Sequence, residues 1–277
     1  MFRKHKLGLT LFGGILALIA GVGLARSNRK HPSSRERHRI GYPPFDTPKQ
    51  IGDGIWIVDS GPLRAMGMVM PVRMTIIRLG SGELLLHSPV QLSTELAGKV
   101  KALGQIGHLV APSTGHWTFI ADWQHAFPDA KTWAVPGLRD RPQVRKSDLR
   151  IDRELGDSAP EDWGDEVEQG LISGGAGFRE AYFFHKASHT LVLTDLVDNL
   201  ETDKLPTMTA TVMGIAGATG GTTPIHVRLA IWAAGESARK AIQTMLTLDT
   251  ERVVLAHGRW FTEREPERLR KAFDWIV

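Results

Sequence analysis

An uncharged apolar run near the N-terminus, from Leu7 to Ala25, sets the strongest limit on what this chain can fold into. At a rise of 1.5 Å per residue, a helix of about 19 residues crosses a hydrocarbon layer of roughly 30 Å. We therefore expect residues 1–26 to be a single-pass membrane anchor, with residues 7–25 in the bilayer. A cleaved signal peptide is the alternative, because basic residues precede the run and its last letters, GLA, resemble a small-residue cleavage site.

A polar stretch follows the apolar run. Residues 27–50 are rich in Ser, Pro, Arg and His, a composition typical of a linker, so we expect one folded domain to occupy residues 51–277. More Lys and Arg follow the run than precede it, which favours a domain on the cytoplasmic side of the membrane. Because both flanks are basic, the opposite side stays open.

The formal net charge of +4 comes from Lys and Arg residues that gather near the N-terminus. No basic stripe with interleaved aromatic residues follows in the domain, so nucleic acid is not an expected partner. The chain contains no cysteine, which excludes disulfides and thiolate sites. Any metal ion must therefore bind through His and carboxylate side chains.

The pattern after Ile51 predicts a layered α/β sandwich. Short apolar stretches separated by Gly, Ser and Pro predict a β-meander over residues 51–86. An amphipathic helix follows, with apolar residues on one face at Leu92, Leu96, Val100 and Leu103. Buried strands and shorter helices come next, and residues 186–189 form the turn of a predicted hairpin.

Two segments lack a periodic pattern. Residues 145–170 are rich in acidic and turn-forming residues and are interpreted as surface loop. Residues 207–224 are crowded with Gly, Thr and Ala, and we expect a mobile cover near a cleft there rather than regular structure.

From Ile51 to Val277 the ordered landmarks resemble the metallo-β-lactamase superfamily. The phrases LLLHSP, HLVAP, SHTLVLTDL and ERVVLAHG are similar, more narrowly, to a divergent branch known as domain of unknown function 4336. The resemblance implies an αββα four-layer sandwich. In that superfamily, an HxHxDH motif holds zinc or iron ions that generate hydroxide.

The metal-binding motif of the superfamily is broken in this chain. Its place reads PSTGHWTFIADW, where His116 is the only imidazole. By resemblance, the bridging carboxylate falls on Asp195 and the last histidine on His257, while another family histidine has no counterpart. His87 lies in the phrase LLLHSP and is a further candidate ligand. These residues suffice for at most one divalent ion, zinc or iron.

The residues themselves leave two interpretations open. His116, Asp195 and His257 each follow an apolar strand, and strand ends are where layered α/β folds place binding groups. Two imidazoles and a carboxylate can form a single metal site. The alternative is that the three side chains only form hydrogen bonds with loop backbone in a closed pocket.

The other histidines are interpreted as structural or exposed. An i, i+4 pair meets on one face only in a helix, so we expect His185 and His189 to be exposed in a strand and turn. His108, His125 and His226 have no partner at a ligand-like spacing and are predicted to be structural. Two tryptophans beside candidate ligands, Trp117 and Trp260, could wall a pocket.

Two functions remain open from the sequence. The favoured one is a non-catalytic, membrane-tethered domain that binds a small molecule in the old cleft, because the broken motif removes one metal's ligands and the acid–base aspartate together. The alternative is a single-metal hydrolase acting on an ester, amide or phosphoryl group. Either way, we expect weak or no hydrolysis of generic substrates.

Overall fold

Two β-sheets form the centre of the fold, which this computed structural model describes for residues 33–65, 68–263, 265 and 267–276. Helix α1 (Ser34–Ile40) precedes a first sheet of seven strands in chain order. These strands are β1 (Lys49–Gly52), β2 (Ile55–Ala65), β3 (Met68–Arg78), β4 (Glu83–His87), β5 (Gln105–Ala111), β6 (Lys131–Ala134) and β7 (Arg153–Glu154). Strands β1 to β4 pair antiparallel, which confirms the predicted meander, and β5 to β7 add in parallel.

Short helices connect the parallel strands, because parallel pairing requires a crossover. They are α2 (Thr94–Lys101), α3 (Ile120–Ala126) and α4 (Pro142–Arg145). Helix α2 is the predicted amphipathic helix. Its N-cap hydroxyl, on Ser93, accepts a hydrogen bond from the Leu96 N–H at 3.1 Å. Leu96 and Val100 on its inner face are buried, so packing against the sheet reinforces the cap.

The second sheet has four strands in the order β11-β10-β9-β8. They are β8 (Val167–Ser173), β9 (Arg179–His185), β10 (Thr190–Leu193) and β11 (Arg252–Leu255). The predicted hairpin is confirmed: β9 and β10 pair antiparallel, and a 3₁₀ turn at Lys186–Ser188 joins them. Strand β11 pairs parallel with β10, so the loops after these two strands leave the same edge of the sheet.

Strand β9 shows how the two sheets pack. Side chains alternate along a strand, and here Ala181 and Phe183 face the core shared with the first sheet. The neighbouring Tyr182 and Phe184 face the opposite side, in the core beneath the C-terminal helices. The Phe183 ring lies 5.0 Å from the His87 ring at the end of β4, which joins the two sheets directly.

Four helices follow the second sheet's hairpin: α5 (Thr207–Ile215), α6 (Ile225–Ala234), α7 (Glu236–Leu246) and α8 (Glu267–Ala272). Val227 and Ile231 of α6 and Ile242 of α7 are buried in the outer core of the second sheet. Helices therefore cover the second sheet, as α2 and α3 cover the first, and the arrangement matches the expected αββα sandwich.

The folded part begins earlier than the sequence predicts. Helix α1 lies inside residues 27–50, interpreted above as a linker, and its Ile40 is buried beside Met213 of α5. The Tyr42 hydroxyl donates to a Glu201 carboxylate oxygen at 2.5 Å. These contacts attach residues 34–42 to the rest of the fold, so described structure begins before the predicted boundary at Ile51.

Two segments predicted to be irregular contain regular or buried structure. Residues 207–224 include α5, where burial of Met213 stabilises a helix that the Gly- and Thr-rich composition does not suggest. Residues 145–170 include β7 and the fully buried Trp163, whose ring lies 4.6 Å from Trp133. Packing on the sheets outweighs local composition in both places.

In the described ranges, no helix is long and apolar enough to span a membrane. The expected anchor, residues 1–26, lies outside those ranges, as does the first part of the expected linker.

Candidate metal centre

Three predicted site residues meet where strands of the two sheets end. His116 follows β5, Asp195 follows β10, and His257 follows β11. One ligand atom from each lies within 4.8 Å of the others. The Asp195 Oδ1 atom is 3.1 Å from Nε2 of His116 and 3.9 Å from Nε2 of His257. The predicted convergence is confirmed, whereas metal binding itself stays a prediction.

His116 is oriented from both sides of its ring. Its Nδ1 lies 2.6 Å from the hydroxyl of Ser88, and its Nε2 faces Asp195. Burial alone would lower the pKa of His116, but the Asp195 carboxylate outweighs burial and raises it. Burial would likewise raise the pKa of Asp195, and His116 lowers it instead. The pair therefore favours a charged carboxylate in the cleft.

His257 likewise turns its Nε2 atom toward Asp195 and uses Nδ1 for a second hydrogen bond. Its Nδ1 lies 2.8 Å from the Pro71 carbonyl oxygen, which can only accept, so Nδ1 carries the proton and Nε2 is free to face Asp195. Burial, and then the charge of His116, lower the pKa of His257 to about 4. A neutral imidazole with a lone pair directed at the cleft is the form that binds metal ions.

Glu180 holds the loop that carries Asp195. Its buried carboxylate accepts backbone N–H bonds from Thr194, Asp195 and Leu196 at 2.7, 2.8 and 2.8 Å. Burial and the Asp195 charge raise the pKa of Glu180 to about 7. On the other side, the Ser113 hydroxyl donates to Asp195 Oδ2 at 2.6 Å. Sequence reasoning missed Glu180, although an acidic residue beside the apolar stretch AYFF was a usable signal.

A buried ion pair holds the loop that carries His257. Arg73 Nη2 lies 2.7 Å from Asp59 Oδ1, with both side chains almost fully buried. Arg73 Nη1 also donates to the carbonyl oxygens of Leu255 and Gly258 at 2.6 and 2.9 Å, on either side of the histidine. This pair was also missed, because each charge lies in an apolar strand and its partner is on the neighbouring strand.

Gly258 allows the His257 loop to approach its neighbour. Its φ of 84° is in the left-handed region, and a Cβ there would lie 2.0 Å from the Asn199 carbonyl oxygen. Only glycine fits at position 258, so backbone packing fixes the residue that follows His257.

His87 does not belong to the three-residue group. It ends β4, fully buried, and burial followed by the charge of His116 lowers its pKa to about 3. Its Nε2 atom has no hydrogen-bond partner among the described residues. The structure therefore places His87 in the core behind Ser88 rather than in the ligand cluster.

A cavity of about 620 Å³ opens beside the three residues. Its apolar wall includes Leu63, Val72, Val90, Phe119, Phe178 and Ala230. Besides the candidate ligands, three basic residues line it: Arg141, Arg179 and His226. Arg141 donates to the Thr114 carbonyl oxygen at 2.7 Å. Such a cleft, largely apolar with a few convergent polar groups, is typical of a small-molecule site.

His226 corrects a sequence interpretation. It was predicted to be structural, yet it lies on α6, lines the cavity and has a buried Nδ1 without a hydrogen-bond partner in the described chain. Burial lowers its pKa, and Asp195 opposes that shift. Trp117 and Trp260, proposed as pocket walls, instead pack on the core. No spacing rule reveals His226, because tertiary packing of α6 brings it to the cleft.

Three further histidines of the described chain do not line the cavity. His185 is buried and its Nδ1 lies 2.7 Å from the Ser188 hydroxyl, so the prediction that it is exposed is wrong. His189 is exposed in the hairpin turn, as predicted. His108 is structural, as predicted: it is buried and accepts a hydrogen bond from Trp133 Nε1 at 3.1 Å.

The cleft fits a metal ion by its donor set. Two imidazole nitrogens and a carboxylate oxygen are the ligands that zinc and non-haem iron use in three-residue sites. Each of the three side chains is also held by a second hydrogen bond, which is how ligand side chains are oriented in metal sites.

Comparisons with known proteins agree with the architecture. The family model described as Domain of unknown function (DUF4336) matches residues 52–216. Among curated proteins, a search finds no match. Among solved structures, the chain is similar to a metallo-β-lactamase from Pontibacter korlensis, with 14% identity, a TM-score of 0.57, and coverage of 81% of this chain and 97% of that chain.

Two further structures are similar. The metallo-β-lactamase FIM-1 from Pseudomonas aeruginosa, in its mono-zinc form, shares 10% identity at a TM-score of 0.56, over 82% of this chain and 93% of that chain. The Flv1 flavodiiron core from Synechocystis shares 10% identity at a TM-score of 0.58, over 83% of this chain and 60% of that chain. At such identities the likeness shows the fold alone. With a family match over more than half of its length, the chain belongs to the DUF4336 family, a divergent branch of the metallo-β-lactamase fold.

Proposed function

We propose that the protein binds one divalent metal ion, zinc or iron, at His116, Asp195 and His257 and hydrolyses an ester, amide or phosphoryl bond. The observation that carries this proposal is the oriented ligand set, with three ligand atoms within 4.8 Å of one another. A closed pocket of relic side chains would not need each ring and carboxylate held by its own second hydrogen bond.

A single ion is proposed because one loop supplies too few ligands. In residues 112–117, His116 is the only side chain that can serve as a metal ligand of the expected kind. Ser113 and Gly115 stand at nearby positions of the same loop. The described part of the cavity wall contains no acidic residue besides Asp195. Two-metal sites need two filled sets of ligands and a bridging group, and this cleft offers donors for one.

The cavity residues suit hydrolysis of a small, partly apolar molecule. A divalent ion, when bound, would supply Lewis acidity toward a carbonyl or phosphoryl oxygen. Arg141 faces the same cavity and would bind an anionic substrate group. The apolar wall would exclude bulk water, which strengthens both interactions.

His226 would transfer the proton that, in the superfamily, the aspartate of the HxHxDH motif transfers. Its lowered pKa leaves the imidazole neutral at pH 7, its buried Nδ1 lacks a partner in the described chain, and it lines the same cavity as Asp195. A neutral, cavity-facing imidazole is suited to general base catalysis.

Ligand binding without turnover is the second candidate. It is favoured by the absence of a second carboxylate in the described cavity wall, because metal-dependent hydrolases often use one as the acid–base group. The His226→Gln variant separates the two candidates. The assay uses a broad panel of esters, amides and phosphodiesters rather than one generic substrate, and turnover of any member that falls at least about 100-fold with unchanged metal content would support the hydrolase. No turnover of any panel member by either protein, with metal bound, would support the binding role.

Metal content tests the site directly. The full-length protein in detergent should retain one ion per chain by elemental analysis, and His116→Ala or His257→Ala should each weaken binding by about 10-fold or more. His189→Ala is the matched control, since this exposed histidine lies in the hairpin turn; the buried His185 would be a poor control. Two ions per chain that survive dialysis against a chelator would contradict the single-ion site.

Membrane tethering through residues 7–25 is a separate proposal, supported by the length and lack of charge of that run. The basic flanks favour a cytoplasmic domain. Co-flotation of the full chain with vesicles after an alkaline carbonate wash should confirm the tether. A mature N-terminus near residue 26 would contradict it and support signal-peptide cleavage.

A further inference from the structure

Large exposed hydrophobic side chains of the described chain all lie on two helices. On α5 they are Met208, Val212 and Ile215, and on α6 they are Ile225, Leu229 and Trp232. We call these six side chains the apolar stripe. Ile215 and Trp232 are the most exposed, at 71% and 78%. A set of large exposed apolar side chains confined to two successive helices of a folded domain marks an interaction surface.

The spacing of the stripe shows that each helix presents one face. Both helices place their exposed residues at i, i+4 and i+7, which is one side of an α-helix. The two helices adjoin, because the Ile225 N–H donates to the Ala216 carbonyl oxygen at 2.8 Å. The opposite sides face inward: Met213 is buried beside Ile40, and Val227 and Ile231 are buried on the second sheet.

We propose that the apolar stripe lies in the interface of a lipid bilayer. Residues 207–234 contain no acidic residue and a single formal charge, on Arg228, so no anionic side chain of this segment opposes negatively charged lipid headgroups. Exposed tryptophan is enriched at the level of those headgroups. A helix with an apolar face of this kind buries that face to a depth of about 5–10 Å.

The point at which the chain enters the fold supports the same partner. Seven residues separate Ala25, the end of the apolar run, from Ser33, and this segment reaches less than about 30 Å even when fully extended. Helix α1 follows immediately, and its Ile40 belongs to the same buried cluster as Met213 of α5. The inference rests on the proposed tether, which would hold α5 close to the bilayer.

Site-directed labelling tests the docking on the full chain. Because the sequence contains no cysteine, Ile215→Cys and Trp232→Cys each allow one environment-sensitive dye to be attached. The control is Ser81→Cys, an exposed residue in the turn after β3. The turn lies roughly 30 Å along that strand from Met70 at the cavity.

The protein is reconstituted in vesicles of phosphatidylcholine and phosphatidylglycerol that contain a doxyl-lipid quencher. Labels at 215 and 232 should lose more than about half of their emission, and the label at 81 less than about a tenth, if the stripe is buried in the interface. Adding Ile215→Glu and Trp232→Glu to a Met208→Cys chain should abolish quenching of the 208 label. Both replaced side chains are highly exposed, and thermal unfolding checks that the fold is retained.

Three outcomes would overturn the proposal. Protein that co-floats with vesicles while the label at 232 is unquenched rejects docking and leaves the tether intact. Blue-shifted emission from a label that lipid does not quench means that protein covers the stripe. The covering protein would be either residues 7–25 or a second copy of the chain, and cross-linking distinguishes the two. Protein that does not co-float removes both the tether and the docking.

Discussion

The loops of the two sheets contribute unequally to the cleft. The loop after β5 supplies only His116, oriented by the hydroxyl of Ser88. The loops after β10 and β11 supply Asp195 and His257, and buried charged groups, Glu180 and Arg73, hold their backbones. Two of the three candidate ligands therefore lie on loops whose backbones buried charged groups hold, whereas a single hydroxyl orients the third.

Among the variants that test this comparison, Arg73→Met should have the largest effect, a loss of stability. The substitution leaves Asp59 buried with only Lys49 as a cationic partner, so the free energy of unfolding should fall by about 3 kcal/mol. Urea denaturation at pH 7 measures the change. The double variant Asp59→Leu, Arg73→Met should recover part of the loss, because neither charge is then buried alone.

Arg145→Met provides the matched control. Arg145 pairs with Asp140 at 3.3 Å, but both side chains are mostly exposed, so stability should change by less than about 0.5 kcal/mol. Equal losses for Arg73→Met and Arg145→Met would show that the buried pair does not anchor the His257 loop.

His87 should make the β4 end of the first sheet sensitive to acid. Its pKa is about 3 in the folded protein and 6.5 in the unfolded chain, so the unfolded state binds the proton first as pH falls. The stability that neutral His87 contributes above pH 6.5 is therefore lost progressively as pH falls below 6.5. His87→Leu should remove about 2 kcal/mol of the decrease between pH 6.5 and 4.5. If the free energy of unfolding falls equally for the wild type and His87→Leu between pH 6.5 and 4.5, His87 is not the source of the acid sensitivity.

Ser88→Ala should produce the smallest effect. It removes the hydroxyl that orients His116 while leaving all three ligands, so metal affinity should fall by about 10-fold. A competition titration with a chromophoric chelator measures the affinity. Ser81→Ala, in the distant β3–β4 turn, should leave affinity unchanged. If both variants bind the metal ion equally well, His116 does not need the Ser88 hydroxyl to orient it.

Much of the fold follows from residue patterns. The meander, α2 and the β9–β10 hairpin each have a local period or turn signal, and all three are confirmed. Helix α5 was hidden in a Gly- and Thr-rich composition, although its apolar residues recur at helical spacing, and burial of Met213 stabilises it. Helix α1 was likewise hidden in a polar composition.

The candidate site divides in the same way. His116, Asp195 and His257 were predicted because each follows an apolar strand and resembles a family position. His226 was not, because α6 reaches the cavity only through packing on the second sheet. The acidic Glu180 stands out beside the apolar stretch AYFF, but its role was missed because its partners are backbone groups of another loop, which the sequence does not reveal.

The tight passage at Gly258 limits how the cavity could be re-engineered. A Cβ there would lie 2.0 Å from a carbonyl oxygen, so a library that randomises this loop would consist mainly of misfolded proteins. The opposite wall has no such limit: Leu63, Phe119 and Phe178 line the cavity by their side chains. Directed evolution of new substrate specificity should therefore keep the His-Gly pair constant and diversify that wall.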